Sequence, residues 1–152
     1  MVALINKLEE VSRDAFMAIP GEEMGLSDPV ITFAERIAEV RINPVILDKK
    51  YLSQLKKITL PLFDRMQLQV YFNKSNVDKH SISLRGSTAD SDQIVFFLSI
   101  TGNQVAATLR MPDENCLYTI KKVQPAGKHY LFQGRITEVE KYECAVRKPL
   151  LY

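Results

Sequence analysis

The stretch Ile94-Val-Phe-Phe-Leu-Ser-Ile100, Thr101-Gly102-Asn103, Gln104-Val-Ala-Ala-Thr-Leu-Arg-Met111 decides the fold class. It holds two apolar runs of strand length separated by Gly-Asn, two residues that tolerate the positive φ of a tight hairpin turn. In the second run Val105, Ala107, Leu109 and Met111 share one face, while Thr108 and Arg110 point to the other. The first run is apolar on both faces, which predicts a strand in mid-sheet covered on both sides. This hairpin is the expected centre of a mainly antiparallel β domain.

The same period-two pattern extends outward in both directions. Upstream, Ile58, Leu60 and Leu62 alternate, as do Leu68, Val70 and Phe72, and Ser81-Ile-Ser-Leu-Arg85 is a short strand closed by Gly86. Downstream, Leu117 to Val123 and Tyr130 to Ile136 are separated by Pro125-Ala-Gly127. About seven strands linked by turns predict a curled sheet, small barrel or sandwich.

Residues 1–57 read as helical and mixed. Leu4, Leu8, Val11 and Ala15 recur at helical spacing, widened by Ile5 and Phe16, and predict an N-terminal helix that Pro20-Gly21 ends. Glu22 to Pro29 carries no periodicity and reads as loop. Ile37 to Ile42 alternates with Glu39 and Arg41, which favours a strand. Asn43-Pro44 supplies a cap and a proline at the first helical position, so Leu47, Tyr51 and Leu55 form one face of a second short helix ending near Lys57. The expected fold is therefore α+β: one domain over residues 1–152, with its β region over 58–136 and a charged, loosely held extension over 137–152.

Composition narrows the function classes. A chain of 152 residues with 46% hydrophobic and 25% charged content is ordinary globular protein, long enough for a sizeable core. A net charge of +2 gives no reason to expect the phosphate-driven affinity of a nucleic-acid binder, which would need a clustered basic face. No apolar run approaches a membrane span. Met1-Val-Ala-Leu-Ile5 lacks a basic flank and a full apolar segment, which fits a cytoplasmic protein and equally a secreted or periplasmic one whose leader was removed. Cys116 and Cys144 do not make a disulfide scaffold; they either pair in an oxidising compartment or stand as one buried and one exposed thiol.

Catalytic signals are sparse. His80 and His129 lie far apart, each beside a strand and without a carboxylate at ligand spacing, and no His-Glu-x-x-His cluster, Gly-x-Ser-x-Gly elbow or Walker loop occurs. Glu138, Glu140 and Glu143 form an acidic group, and Lys49, Lys50, Lys56 and Lys57 a basic one; charge runs of this kind are usually solvated faces. Asn73-Lys-Ser75 is a sequon short enough to arise by chance. The expectation is a non-catalytic chain without a cofactor.

Read in order, several elements between Ile58 and Leu131 resemble the propeptide domain that precedes the catalytic domain of secreted bacterial zinc metalloproteases of the metzincin, reprolysin-like type. Leu60-Pro-Leu62-Phe63-Asp64 is similar to that family's strand ending in Leu-Phe-Asp, and Ser81-Ile-Ser-Leu-Arg-Gly86 to its strand closing on a Ser-Gly element. Gly102-Asn-Gln-Val105-Ala-Ala-Thr108-Leu-Arg110-Met-Pro112 is similar to its hairpin carrying Thr-x-Arg-x-Pro. Tyr118-Thr-Ile120 and Gly127-Lys-His129 resemble its Tyr-x-Ile and Gly-x-His elements, so about half the chain is covered. The resemblance implies a module that inhibits a zinc metalloprotease catalytic domain, in cis or in trans, or assists its folding.

Two devices would achieve this: an extended segment added to the protease cleft, or a thiolate on the catalytic zinc. Cys144 is the implied metal ligand of the second device, although Glu143-Cys144-Ala-Val-Arg147 differs from the Arg-x-Cys-Gly switch of other metzincins. The alternative reading is a stand-alone small β domain binding a protein partner, or an apolar ligand in a pocket lined by Phe96, Phe97, Leu109 and Phe132. A third reading, nucleic-acid binding through Lys49 to Lys57 and Tyr71, is disfavoured by the charge balance.

Overall fold

The computed structural model describes residues 2–17, 28–89, 91–123 and 127–147, with backbone alone for Asp92 and residues 142–147. Its strands are β1 (Ile5–Val11), β2 (Arg36–Ile42), β3 (Lys57–Pro61), β4 (Gln67–Val77), β5 (Ser81–Thr88), β6 (Ser91–Thr101), β7 (Gln104–Met111), β8 (Cys116–Val123) and β9 (Lys128–Arg135). All nine join one antiparallel sheet in the order β1-β2-β9-β8-β7-β6-β5-β4-β3. The sheet curls into a half-barrel until its outer strands touch. There Leu4 N donates to Thr59 O at 3.0 Å and Thr59 N to Val2 O at 2.9 Å.

The central hairpin forms as the alternation predicts. Along β7 every second residue, Val105, Ala107, Leu109 and Met111, is buried and every other one exposed. Thr101 pairs with Gln104 across the two-residue turn, and the positive φ (62°) falls on Gly102. The second face of β6 departs from expectation. Phe96, Leu98 and Ile100 are buried inside the curl, but Phe97 on the outside is 47% exposed, so β6 is covered on one side only.

The outer face is covered at the other end of the sheet. Ile37 of β2 with Tyr130 and Phe132 of β9 point outward and are packed under Phe16 of α1 (Arg13–Met17) and Ile31 of α2 (Pro29–Thr32). The Phe16 ring meets Tyr130 and Phe132 edge-on, at centroid distances of 5.0 and 5.5 Å. Burying such a ring contributes about 1.5–3 kcal/mol. Arg13 fastens the two short helices by donating to the carbonyls of Ile31, Thr32 and Ala34. Asp28 caps α2 by accepting from Val30 N and also pairs with Lys121 of β8.

Three expectations are corrected. The N-terminal helical stripe is β1, and a helix occupies only Arg13–Met17. A bulge between Ile5 and Lys7 puts Ile5 opposite Ile42 and Leu8 opposite Val40, so residues three apart share the inner face and imitate a helical period. The second helix is broken in two: a 3₁₀ turn over Pro44–Leu47 capped by Asn43, then α3 (Lys49–Gln54) capped by Asp48. Its buried residues are Ile46 and Leu52, whereas Tyr51 is exposed. The supposed loose extension begins as α4 (Ile136–Arg147), seated by buried Ile136 and Val139 and by an Arg110–Glu140 ion pair of 2.5 Å. The Pro20-Gly21 stop, Gln124 to Ala126 and the tail from residue 148 lie outside the described residues.

Gly86 sits inside β5 rather than closing it, opposite a second bulge in β4 between Phe72 and Lys74. A Cβ at Gly86 would lie 2.4 Å from the carbonyl oxygen of Tyr71, a backbone atom that cannot swing aside. Gly86→Ala is therefore expected to cost about 1–3 kcal/mol through forced backbone displacement, read as a lower urea midpoint. An unchanged midpoint would show that β4 has room there.

Candidate protein-binding edge

The residues singled out for chemistry do not converge. His80 is exposed in the turn between β4 and β5, and His129 is half-buried in β9. Cys116 is a buried free thiol at the start of β8, and burial pushes its pKa up. Cys144 and Glu143 fall in α4, with side chains outside the described residues; Glu138 and Glu140 are exposed on the same helix. Among the described residues no group of His, Cys, Asp and Glu could hold a metal ion. The supposed apolar pocket is dispersed: Phe96 and Leu109 are paired in the inner core, Phe132 belongs to the outer cluster, and Phe97 faces outward beside neither.

A polar bolt that sequence spacing did not reveal lies at the β3–β4 turn. Arg36 donates to both carboxylate oxygens of Glu10 and both of Asp64, and its guanidinium stands 4.5 Å over the Phe63 ring. The Arg36 hydrogen bonds hold the Glu10 and Asp64 carboxyls below their usual pKa. Asp64 adopts a left-handed φ of 59° to make the contact. This ties the Leu62-Phe63-Asp64 segment to β1 and β2. It is structural, since Leu62 and Phe63 are buried.

What remains open is a strand edge. β3 runs only from Lys57 to Pro61 and pairs with residues 67–71 of β4, the last backbone bond being Phe72 N to Lys56 O at 2.8 Å. Beyond it, residues 73–77 are bonded to β5 on one side and, among the described residues, to no strand on the other. The register shows which groups are free. Asp78 N donates to Ser81 O, so the pairs Asn76–Ser83 and Lys74–Arg85 exchange the ladder bonds with β5. The backbone groups of Ser75 and Val77 therefore point off the sheet.

The edge opens onto two concavities. One, of about 460 Å³, lies between the end of α3 and β4 and is lined by Gln54, Leu55, Lys56, Phe72, Lys74 and Ser75 among others. Its neighbour, of about 400 Å³, shares Lys74, Ser75 and Leu84 and adds Arg85 and Phe97 on the outer face. Neither is lined by a carboxylate. Of the four expected basic residues, Lys49 is used to hold the β4–β5 turn through the carbonyls of Asp78 and Lys79. Lys56 and Lys57 are exposed beside the open edge, while Lys74 and Arg85 are single cations on different strands that only the β4–β5 register brings together.

These features define the class of molecule: a β-rich domain whose strand β4 is half open. No protein-family model and no curated protein matches the chain. A solved structure described as "Structure of a chaperone-substrate complex" is similar over 68% of this chain and 80% of that one, at 12% identity and a TM-score of 0.44. Among the described residues no helix is long and apolar enough to cross a membrane.

His129 gives the sheet a pH dependence. Its Nε2 accepts from Val105 N at 3.0 Å, taking the place of a ladder bond where the β7–β8 pairing has ended at Ala107–Ile120. Burial, and then the charge of Lys122, lower its pKa from 6.5. Below that value the unfolded chain takes up a proton that the folded one refuses, so stability is full above it and falls with falling pH. Urea midpoints are expected to drop from neutral pH to about pH 5 in the parent and to drop less in His129→Gln, whose amide oxygen accepts without titrating. Equal slopes would remove His129 as the cause.

Proposed function

We propose that this chain is a non-catalytic module that grips an extended segment of a partner protein by strand addition to residues 73–77 of β4. The observation that carries the reading is the unpaired run of Ser75 and Val77 backbone groups beside an open groove. Main-chain hydrogen bonds supply affinity in this mode, and side pockets on alternate residues supply selectivity. An exposed edge of this kind is ordinarily blunted or covered. Here Val77 at its end is 56% exposed.

The test uses a synthetic strand-forming peptide about six residues long. The Ser75 and Val77 amides are expected to shift on titration and to exchange more slowly with solvent. Ser75→Pro removes one of the free donors without removing a β4–β5 ladder bond, and it should abolish binding while the urea midpoint stays near the parent value. A peptide N-methylated at alternate residues should fail against the parent for the same reason. Binding that survives both changes would remove the edge from the mechanism.

The propeptide resemblance supports a narrower form, in which the partner is a zinc metalloprotease catalytic domain and the β4 edge pairs with the edge strand of its cleft. Added to a metzincin-type protease, the domain is expected to slow cleavage, and Ser75→Pro should relieve the inhibition. If Cys144 also occupies the protease zinc, Cys144→Ala should weaken inhibition; full inhibition by that variant would leave edge pairing alone as the cause.

A further inference from the structure

The register aligns three strands so that Lys74 of β4, Arg85 of β5 and Phe97 of β6 stand side by side on the uncovered outer face. Like charges directly opposite each other across a strand pair are destabilising. Neither Lys74 nor Arg85 makes an ion pair among the described residues, and the same holds for Lys56 and Lys57 on the other flank of the open edge. Several other cations on the sheet are matched, as Arg36 is by Glu10 and Asp64, Lys128 by Glu39, and Arg110 by Glu140, whereas Arg41 and Lys122, like Lys74 and Arg85, make no ion pair among the described residues. The Lys74–Arg85 repulsion also guards the edge against pairing with unselected strands. An anionic partner would relieve it.

We infer that the segment received by the β4 edge is acidic, with a carboxylate opposite Lys74 that reaches toward Arg85. The inference rests on the strand-addition reading and specifies the partner's chemistry. A second copy of this chain is a poor occupant, because antiparallel pairing of two β4 edges would bring the Lys74 and Lys56 charges of both copies together. A nucleic acid could meet the same cations, but it has no peptide groups to satisfy Ser75 and Val77, whereas an extended acidic peptide meets both demands.

The experiment compares three strand-forming peptides of matched β propensity, acidic, neutral and basic, together with a single-stranded oligonucleotide, by fluorescence anisotropy. The acidic peptide is expected to bind about tenfold tighter than the neutral one at low salt, a preference that shrinks near 1 M salt. Lys74→Gln/Arg85→Gln should erase the preference, keep the weaker binding of the neutral peptide, and raise or leave unchanged the urea midpoint. Acidic and neutral peptides binding equally would overturn the charge inference and leave strand addition standing. No peptide binding at all would overturn both. Tighter binding of the oligonucleotide, or a β4-paired dimer in sedimentation, would also overturn it.

Discussion

Two outer strands must find partners for their backbone groups, and the short parallel contact of Val2 to Leu4 with Thr59 joins the two edges at one point. A buried amide left without a partner costs about 1–3 kcal/mol, so a curled sheet with an apolar interior depends on such a seam. Asn43 secures it, its backbone N donating to Leu4 O and its side-chain amide to Ala3 O, each at 2.9 Å. The seam reaches only as far as β3 does. Because β3 has five residues and β4 eleven, the remainder of β4 is left beside open space. The candidate site follows directly from that mismatch in length.

The outer face of the sheet divides along the same line. On β2 and β9 it carries Ile37, Tyr130 and Phe132, and these demand the cover that α1 and α2 provide. On β4 to β6 it carries Lys74, Asn76, Ser83, Arg85 and Ser99, which water can satisfy, together with the exposed rings of Tyr71 and Phe97. Exposed rings are unremarkable by themselves; in one row with Lys74 and Arg85, Phe97 gains a context.

Most of the sheet could be read from its residues because each strand from β3 to β9 has one wet face or polar ends. β7, with its strict alternation, is the clearest case. β1 was obscured by its bulge, which gives Ile5 and Leu8 the spacing of a helix. α3 was mistaken in phase because Asp48 both ends one turn and caps the next, so Leu52 replaces Tyr51 on the buried side. The open edge was not legible at all. Whether Ser75 has a neighbour depends on where β3 stops, and nothing in Asn73-Lys-Ser-Asn-Val77 records that. The row of Lys74, Arg85 and Phe97 likewise exists only once register brings together residues far apart in the chain.

The strand order also governs how this chain can be made. From β3 to β9 each strand lies next to its predecessor, so hairpins can close one after another as the polypeptide lengthens, at little cost in loop entropy. β2 instead pairs with β9, nearly a hundred positions later. Until the ribosome has released the chain as far as Arg135, β1 and β2 have only each other and the short seam to Thr59. An isolated pair of strands is marginal in water. The first part synthesised is thus the last to be secured, and the apolar patch of Ile37, Tyr130 and Phe132 on β2 and β9 is the lock that waits for it.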